Sequence, residues 1–429
     1  MSFSHRLPHS TAPDASIPSD ASDGLIVRHA VLDDRRNVVG YTLEQPDAQD
    51  SVWGTEPSQW FGSLSLSEQA ALGRKKTLFL RYAHEQIARG DLAQLETADM
   101  VLSIPSLPPS QLDRIPLYVP ILQEACRRGF RLVFDYAVVT PTYADWLPMA
   151  RYIQFDLAVL KPEALANFVK VARARSTATL IATNVNTREQ RHAIHALGVS
   201  LYQGTCFTLP PPFPEKPVEN KQLAALELMN MVGQDADSET IEDWLKHHPE
   251  LSFQLLRFIN SAGFGFRGEV HSFRHAVDLM GMRRLFKWAA LLLTSGIGPD
   301  TAPAVRTVAV VRGRLMELLA LAQNPSTPPT ASAAIADTAF VVGVFSLLDA
   351  LLATDLDTAL GHVSLPANAR NALLKRQGPL APLLSLALAC EDADTSAVAS
   401  LCEMLRLTVQ QVNTAHLQAL AWAESLSAA

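Results

Sequence analysis

Residues 180–204 read LIATNVNTREQRHAIHALGVSLYQG. The stretch opens on a short apolar run, of the kind that forms a strand buried on both faces. Thr187 stands where a helix cap belongs, and Gly198 stands where that helix must stop. VSLYQG then supplies a second short strand. Strand, helix, strand in this order is the unit of a parallel sheet. Thr183, Asn184 and Asn186 fall where the first strand ends, which is where a βα-barrel enzyme keeps its catalytic groups. None of the three is an acid.

The same unit recurs toward the N-terminus. LIVRHAV and NVVGYTL make a pair across the turn DDRRN, and TLFLRYA, DMVLSIP, RLVFDYAVV and RYIQFDL follow as apolar strand-like runs. Helical segments such as LYVPILQEACRRG lie between several of them. Repeats of this kind fit either an open doubly wound sheet or a closed barrel. No G-x-G-x-x-G follows the first strand, so the dinucleotide-binding form of the open sheet has no support.

Past residue 207 the pattern changes. TLPPPFPEKPVENK holds five prolines, which stiffen a chain into a semi-rigid spacer. We therefore divide the chain into a leader (1–24) rich in Ser, Pro and Asp and expected to be disordered, an α/β half (25–207), a linker (208–222) and an all-α half (223–429). In the last, SETIEDWLKHH is expected to start on a Ser cap, with Ile241, Trp244, Leu245 and His248 on one face. PELSFQLLRFIN places Leu251, Leu255, Leu256 and Ile259 together. SFRHAVDLM and MRRLFKWAALLL follow, parted only by Gly281.

The chain has 429 residues, 48% of them hydrophobic and 18% charged, with a net charge of −7. A sizeable core is available, and the acidic balance argues against a nucleic-acid partner. Arg283, Arg284 and Lys287 cluster after a glycine, as in a helix-turn-helix, but the helix that carries them is too apolar to spare a face for DNA. The four cysteines are scattered and read as buried thiols. WAALLLTSGIG and AFVVGVFSLLDALLA are too short to span a membrane, and Asp349 interrupts the second. A cytoplasmic location is expected. No histidine is followed by Asp, and there is no G-x-S-x-G, P-loop or H-E-x-x-H.

Two resemblances then enter. VVGYTLE, LVFDYAVV, YIQFDLAVL and IATNVNTREQ with LYQG resemble the strand motifs of the EAL domain, a TIM-type barrel that hydrolyses cyclic di-GMP with two divalent metals. HPELSFQLLRFINSAGFGFRGEVHSFRHAVDLMGMRRLFKW resembles the core of the HDOD domain, a helical relative of the His-Asp phosphohydrolases without their metal ligands. Together they resemble the tandem EAL–HDOD signalling family of bacteria, often called YuxH-like. The fold this implies is an α/β TIM-type barrel plus an all-α HDOD domain.

Carried over position by position, the resemblance puts Thr42 and Ser103 where the family has glutamates and Arg81 where it has an asparagine. Asp135 stays, but its acidic neighbour is Tyr136. Gln154 replaces the lysine before Asp156, Thr183 and Asn186 replace two glutamates, and Gln203 and Gly204 stay. Two metals on a phosphodiester need several carboxylates, so the resemblance implies a degenerate EAL site with no metal cofactor and no enzymatic activity. Arg81 is expected to repel a metal and to pair with Asp135 if it points inward. The added bulk favours a filled pocket over bound cyclic di-GMP, although Arg81 and Tyr136 are candidates to hold that nucleotide without hydrolysis. The expected function is an adaptor that binds unidentified signalling proteins through the HDOD half, with a cyclic di-GMP sensor that binds without hydrolysis as the alternative and a residual metal-dependent phosphodiesterase as the third reading. Candidate contacts are Asn260, Ser261, Phe264, Arg267, Arg283, Arg284 and Lys287. At about 190 residues the barrel is short, so missing strands or helices are also expected.

Overall fold

The computed structural model describes residues 25–44, 76–82, 84–88, 92, 100–209, 220–259, 273–295, 303–323, 329–392 and 394–428. The expected leader, most of the linker, and Asn260, Ser261, Phe264 and Arg267 lie outside them.

Eight strands close into a barrel in chain order: β1 (Val27–Leu32), β2 (Val38–Glu44), β3 (Thr77–Arg81), β4 (Met100–Ile104), β5 (Arg131–Asp135), β6 (Ala150–Asp156), β7 (Thr179–Thr183) and β8 (Leu201–Tyr202). β1 runs antiparallel to both its neighbours and the rest are parallel. This settles the choice between sheet and barrel. It also corrects the expectation of missing strands, since the circuit is complete. Alternation then sorts the side chains. Val31, Phe79, Val101, Val133 and Ile181 meet inside the barrel as a small core of their own. Residues one step out of phase, such as Leu78, Leu80, Leu102, Leu132 and Phe134, face the surrounding helices in the main core.

The helices of the barrel half include α1 (His84–Ala88), α2 (Ile115–Arg127), α3 (Pro162–Arg175) and α4 (Arg188–Ala196). α4 begins as the sequence requires. Thr187 accepts from the Gln190 amide, and Gln190 returns a bond to the cap backbone. No helix connects β1 to β2, only the turn at Asp33–Asn37. The outer face of that hairpin is covered from elsewhere in the chain.

That cover is the helical half: α5 (Asn220–Gly233), α6 (Ser238–His247), α7 (Pro249–Ile259), α8 (Phe273–Met280), α9 (Met282–Ser295), α10 (Pro303–Gln323), α11 (Pro329–Phe345), α12 (Leu348–Leu352), α13 (Leu356–Gly361), α14 (Ala367–Lys375), α15 (Ala381–Asp392), α16 (Thr395–Leu405) and α17 (Val409–Ala428). The cap of α6 is one residue earlier than expected. Asp237, in extended backbone, accepts from the Thr240 amide at 2.7 Å, while the Ser238 hydroxyl donates to Asp278. α15 packs on β1 and α10 on β2. Tyr41 of β2 donates to Glu424 of α17 at 3.2 Å, and the Ile26 amide donates to Asn413 at 2.8 Å. Arg28 of β1 lies 3.9 Å from Glu391 of α15, which also holds Arg312 of α10 through contacts of 3.0 and 2.6 Å.

Candidate functional site at the barrel mouth

The parallel strands all end at one rim, and the inward-facing residues there form a ring above the apolar plug. Register sets its members. Thr42 pairs with Phe79, Arg81 with Ser103, Asp135 with Gln154, and Asp156 with Thr183. Thr42, Arg81, Ser103, Asp135, Gln154, Asp156, Thr183 and Gln203 thus come to one end of the barrel, from seven strand ends. Tyr136 follows Asp135 as an exposed residue of the first loop turn.

The two aspartates are spent on loops. Asp135 accepts from the Ser106 amide at 2.8 Å, from the Ala137 amide at 2.9 Å and from the Ser106 hydroxyl. It caps the short 3-10 turn Tyr136–Val139. Asp156 accepts from the Ala158 amide at 2.7 Å and from the Asn184 amide group at 2.8 and 2.9 Å. Asn184 reaches it from left-handed backbone, φ 58°. Asn186 accepts from the backbone and hydroxyl of Thr205, and Thr183 donates to the Phe155 carbonyl at 3.4 Å. Gln203 donates to Thr42, and both are buried.

Arg81 does point to the mouth, but its partner is not Asp135. Its guanidinium lies 3.8 Å from Glu44, and Glu44 lies 3.6 Å from His29. β1 and β2 explain the grouping. His29 is opposite Thr42, and Glu44 is two residues on from Thr42 on the same face. Burial pushes the His29 imidazole below its ordinary range, against the pull of Glu44. The charge of Arg28 adds to that fall, and Asp392 of α15 opposes it. The sequence reading missed both His29 and Glu44. The signal was there: VVGYTLE alternates, so its last residue shares a face with Thr42.

A two-metal centre requires several convergent carboxylates. The ring presents hydroxyls, amides and a fixed cation, and its two aspartates already accept two or three hydrogen bonds each. Among the described residues no three His, Cys, Asp or Glu converge to hold an ion. The donor set does not fit a pair of divalent metals, and we derive no step through one.

On the helical half, Arg283 and Arg284 are exposed at the start of α9. Lys287 is not, which corrects its place among the contact candidates. It is ion-paired with Glu317 and lies 4.4 Å over the Phe340 ring. Trp288 and Leu293 of the same helix are buried, as an apolar packed helix requires. Among the described residues no helix is long and apolar enough to cross a membrane. Cys206, Cys390 and Cys402 are buried thiols and Cys126 is partly so.

Comparison with known proteins adds four findings. A protein of Vibrio cholerae named cyclic di-GMP phosphodiesterase CdgJ is 25% identical over 412 residues, covering 94% of this chain and 93% of that one. The Bacillus subtilis protein YuxH, named as uncharacterized, is 22% identical over 429 residues, covering 94% of this chain and 98% of its own. The EAL domain of DcpA from Mycobacterium smegmatis superposes with a TM-score of 0.33 and 15% identity, over 42% of this chain and 87% of that one. The expectation of a chain without enzymatic activity is corrected by the first of these, because a relative matched over nearly its whole length carries the name of a phosphodiesterase. Residues 223–307 match the HDOD domain family, so the helical half that covers the barrel contains an HDOD domain.

Proposed function

We propose that this chain is a cyclic di-GMP signalling protein, in which the barrel mouth takes the cyclic dinucleotide and the HDOD-bearing half contacts partner proteins. The observation that carries the reading is the match, over 94% of the chain, to a protein named for its action on cyclic di-GMP. The closed barrel supports it, because ligands of such barrels sit at the C-terminal ends of the strands, and the polar ring lies there. On the helical side, Arg283 and Arg284 are the exposed cations from which a partner surface is built. Opening of the cyclic phosphodiester is the reaction to test.

The test is one calorimetric titration of the full chain with cyclic di-GMP, in Mn²⁺ and again in EDTA. The mixtures are then assayed for the linear dinucleotide. Heat or product in either buffer is expected. Neither heat nor product in both buffers rejects the proposal.

A further inference from the structure

The relative's name and the donor set at the mouth pull in different directions. A phosphodiester must be held, and the two aspartates left for the usual metal pair are already bonded to the loops. One sector of the mouth offers a replacement, where β1, β2 and β3 meet. There His29, Glu44 and Arg81 line up through contacts of 3.6 and 3.8 Å, and their side chains are 29%, 29% and 31% exposed. All three rise on the inner face of the barrel, and none is sealed in its core.

We infer that His29, Glu44 and Arg81 form a phosphodiester-binding site at the barrel mouth that works without a metal ion. The inference rests on the proposed function for its ligand and adds the residues and the chemistry.

Arg81 is the anchor. A guanidinium offers five donors in a planar fork that matches two phosphate oxygens. At 3.8 Å its contact with Glu44 is beyond hydrogen-bond length, so the carboxylate steers the fork without consuming its donors. His29 stands on the other side of Glu44. Burial favours its neutral form, which gives one ring N–H to donate and one ring nitrogen to accept. Glu44, Arg28 and Asp392 are the charges that act on it. Thr42 and Gln203, bonded to each other, floor the sector. Asp135 and Asp156, the acids that a metal would require, are held by the loops.

This arrangement predicts the sign of each substitution. Arg81→Met removes the anchor. Glu44→Gln keeps the shape and removes a negative charge beside the phosphate, so an anionic ligand binds as well or better. A metal-ligand role for Glu44 predicts the reverse, a loss of binding.

The experiment is a titration of cyclic di-GMP into wild type, Arg81→Met and Glu44→Gln, each as the full chain, in EDTA and in Mn²⁺. Thermal melts confirm folding, and Arg81→Gln stands in if the Met variant melts early. We expect wild-type binding in EDTA, at least tenfold weaker binding in Arg81→Met, and equal or tighter binding in Glu44→Gln. Binding that needs Mn²⁺, that survives in the Arg81 variants, or that Glu44→Gln abolishes overturns this inference and leaves the proposed function standing. No binding in either buffer overturns this inference, and overturns the proposed function as well when no linear dinucleotide forms.

Discussion

Asp349 sits in the apolar segment that closes α11 and opens α12, and burial raises its carboxyl above the ordinary range. An acid raised on folding favours the folded state only at pH values low enough to protonate it. That favourable contribution is full below the unfolded value, near 3.8, and is lost as pH rises through the folded value. At neutral pH the ionised group therefore weighs against folding. Asp349→Asn keeps an oxygen for the Ala350 amide, now 2.8 Å from the carboxylate. We expect it to raise the melting temperature at pH 7, with the gain shrinking toward pH 4. A gain that holds constant across that range refutes the assignment. Gly204 makes a different demand. Its φ is 145°, and a Cβ there would lie 2.2 Å from the Val185 carbonyl oxygen. Gly204→Ala must shift the β8 loop that carries Gln203. We expect a cost of about 1–3 kcal/mol, read as a lower denaturant midpoint with unchanged slope.

At the scale of elements, the α10–α11 crossing depends on two glycines that face each other. A Cβ on Gly343 would lie 2.6 Å from the Gly313 Cα, and one on Gly313 would lie 2.7 Å from a Val344 methyl and 2.9 Å from the Phe340 carbonyl. Gly313→Val forces the helices apart and costs about 1–3 kcal/mol or more through overpacking; urea denaturation measures it. Such contacts explain what the sequence could and could not reveal. The βα repeat, the cap at Thr187 and the stop at Gly198 are local patterns, and the structure has all three. The cap of α6 moved from Ser238 to Asp237 because both are good cap residues and the choice follows from backbone geometry. The Gln203–Thr42 bond joins residues 161 positions apart and exists only because the barrel closes. The sequence leaves the direction of Arg81 open; it faces the mouth, and its partner there is Glu44, not Asp135. The sequence offers Asp135 as a partner for Arg81, and the Ser106 loop that claims it cannot be inferred from strand alternation.

For the whole molecule, the decisive group is Glu391. It accepts two bonds from Arg312 in the helical half and lies within ion-pair reach of Arg28 in the barrel. Both arginines are almost fully buried, with side chains 4% and 3% exposed. Removing a carboxylate from buried cations leaves them uncompensated, at a cost of about 3–5 kcal/mol. Glu391→Ala should therefore lower stability by about that amount in a denaturant titration. Because the cluster belongs to both halves, the spectroscopic signals of barrel and helices should shift together; a shift confined to the helical half argues against a shared cluster.

The outer face of the β1–β2 hairpin is covered by the helical half, which makes that half part of the barrel's own seal. Tyr41 and Leu43, sealed beneath the helices, are 0% and 1% exposed. A barrel cut free of the second half would turn that apolar flank to water. The helical half thus hides from water a flank through which two barrels would otherwise stick to each other.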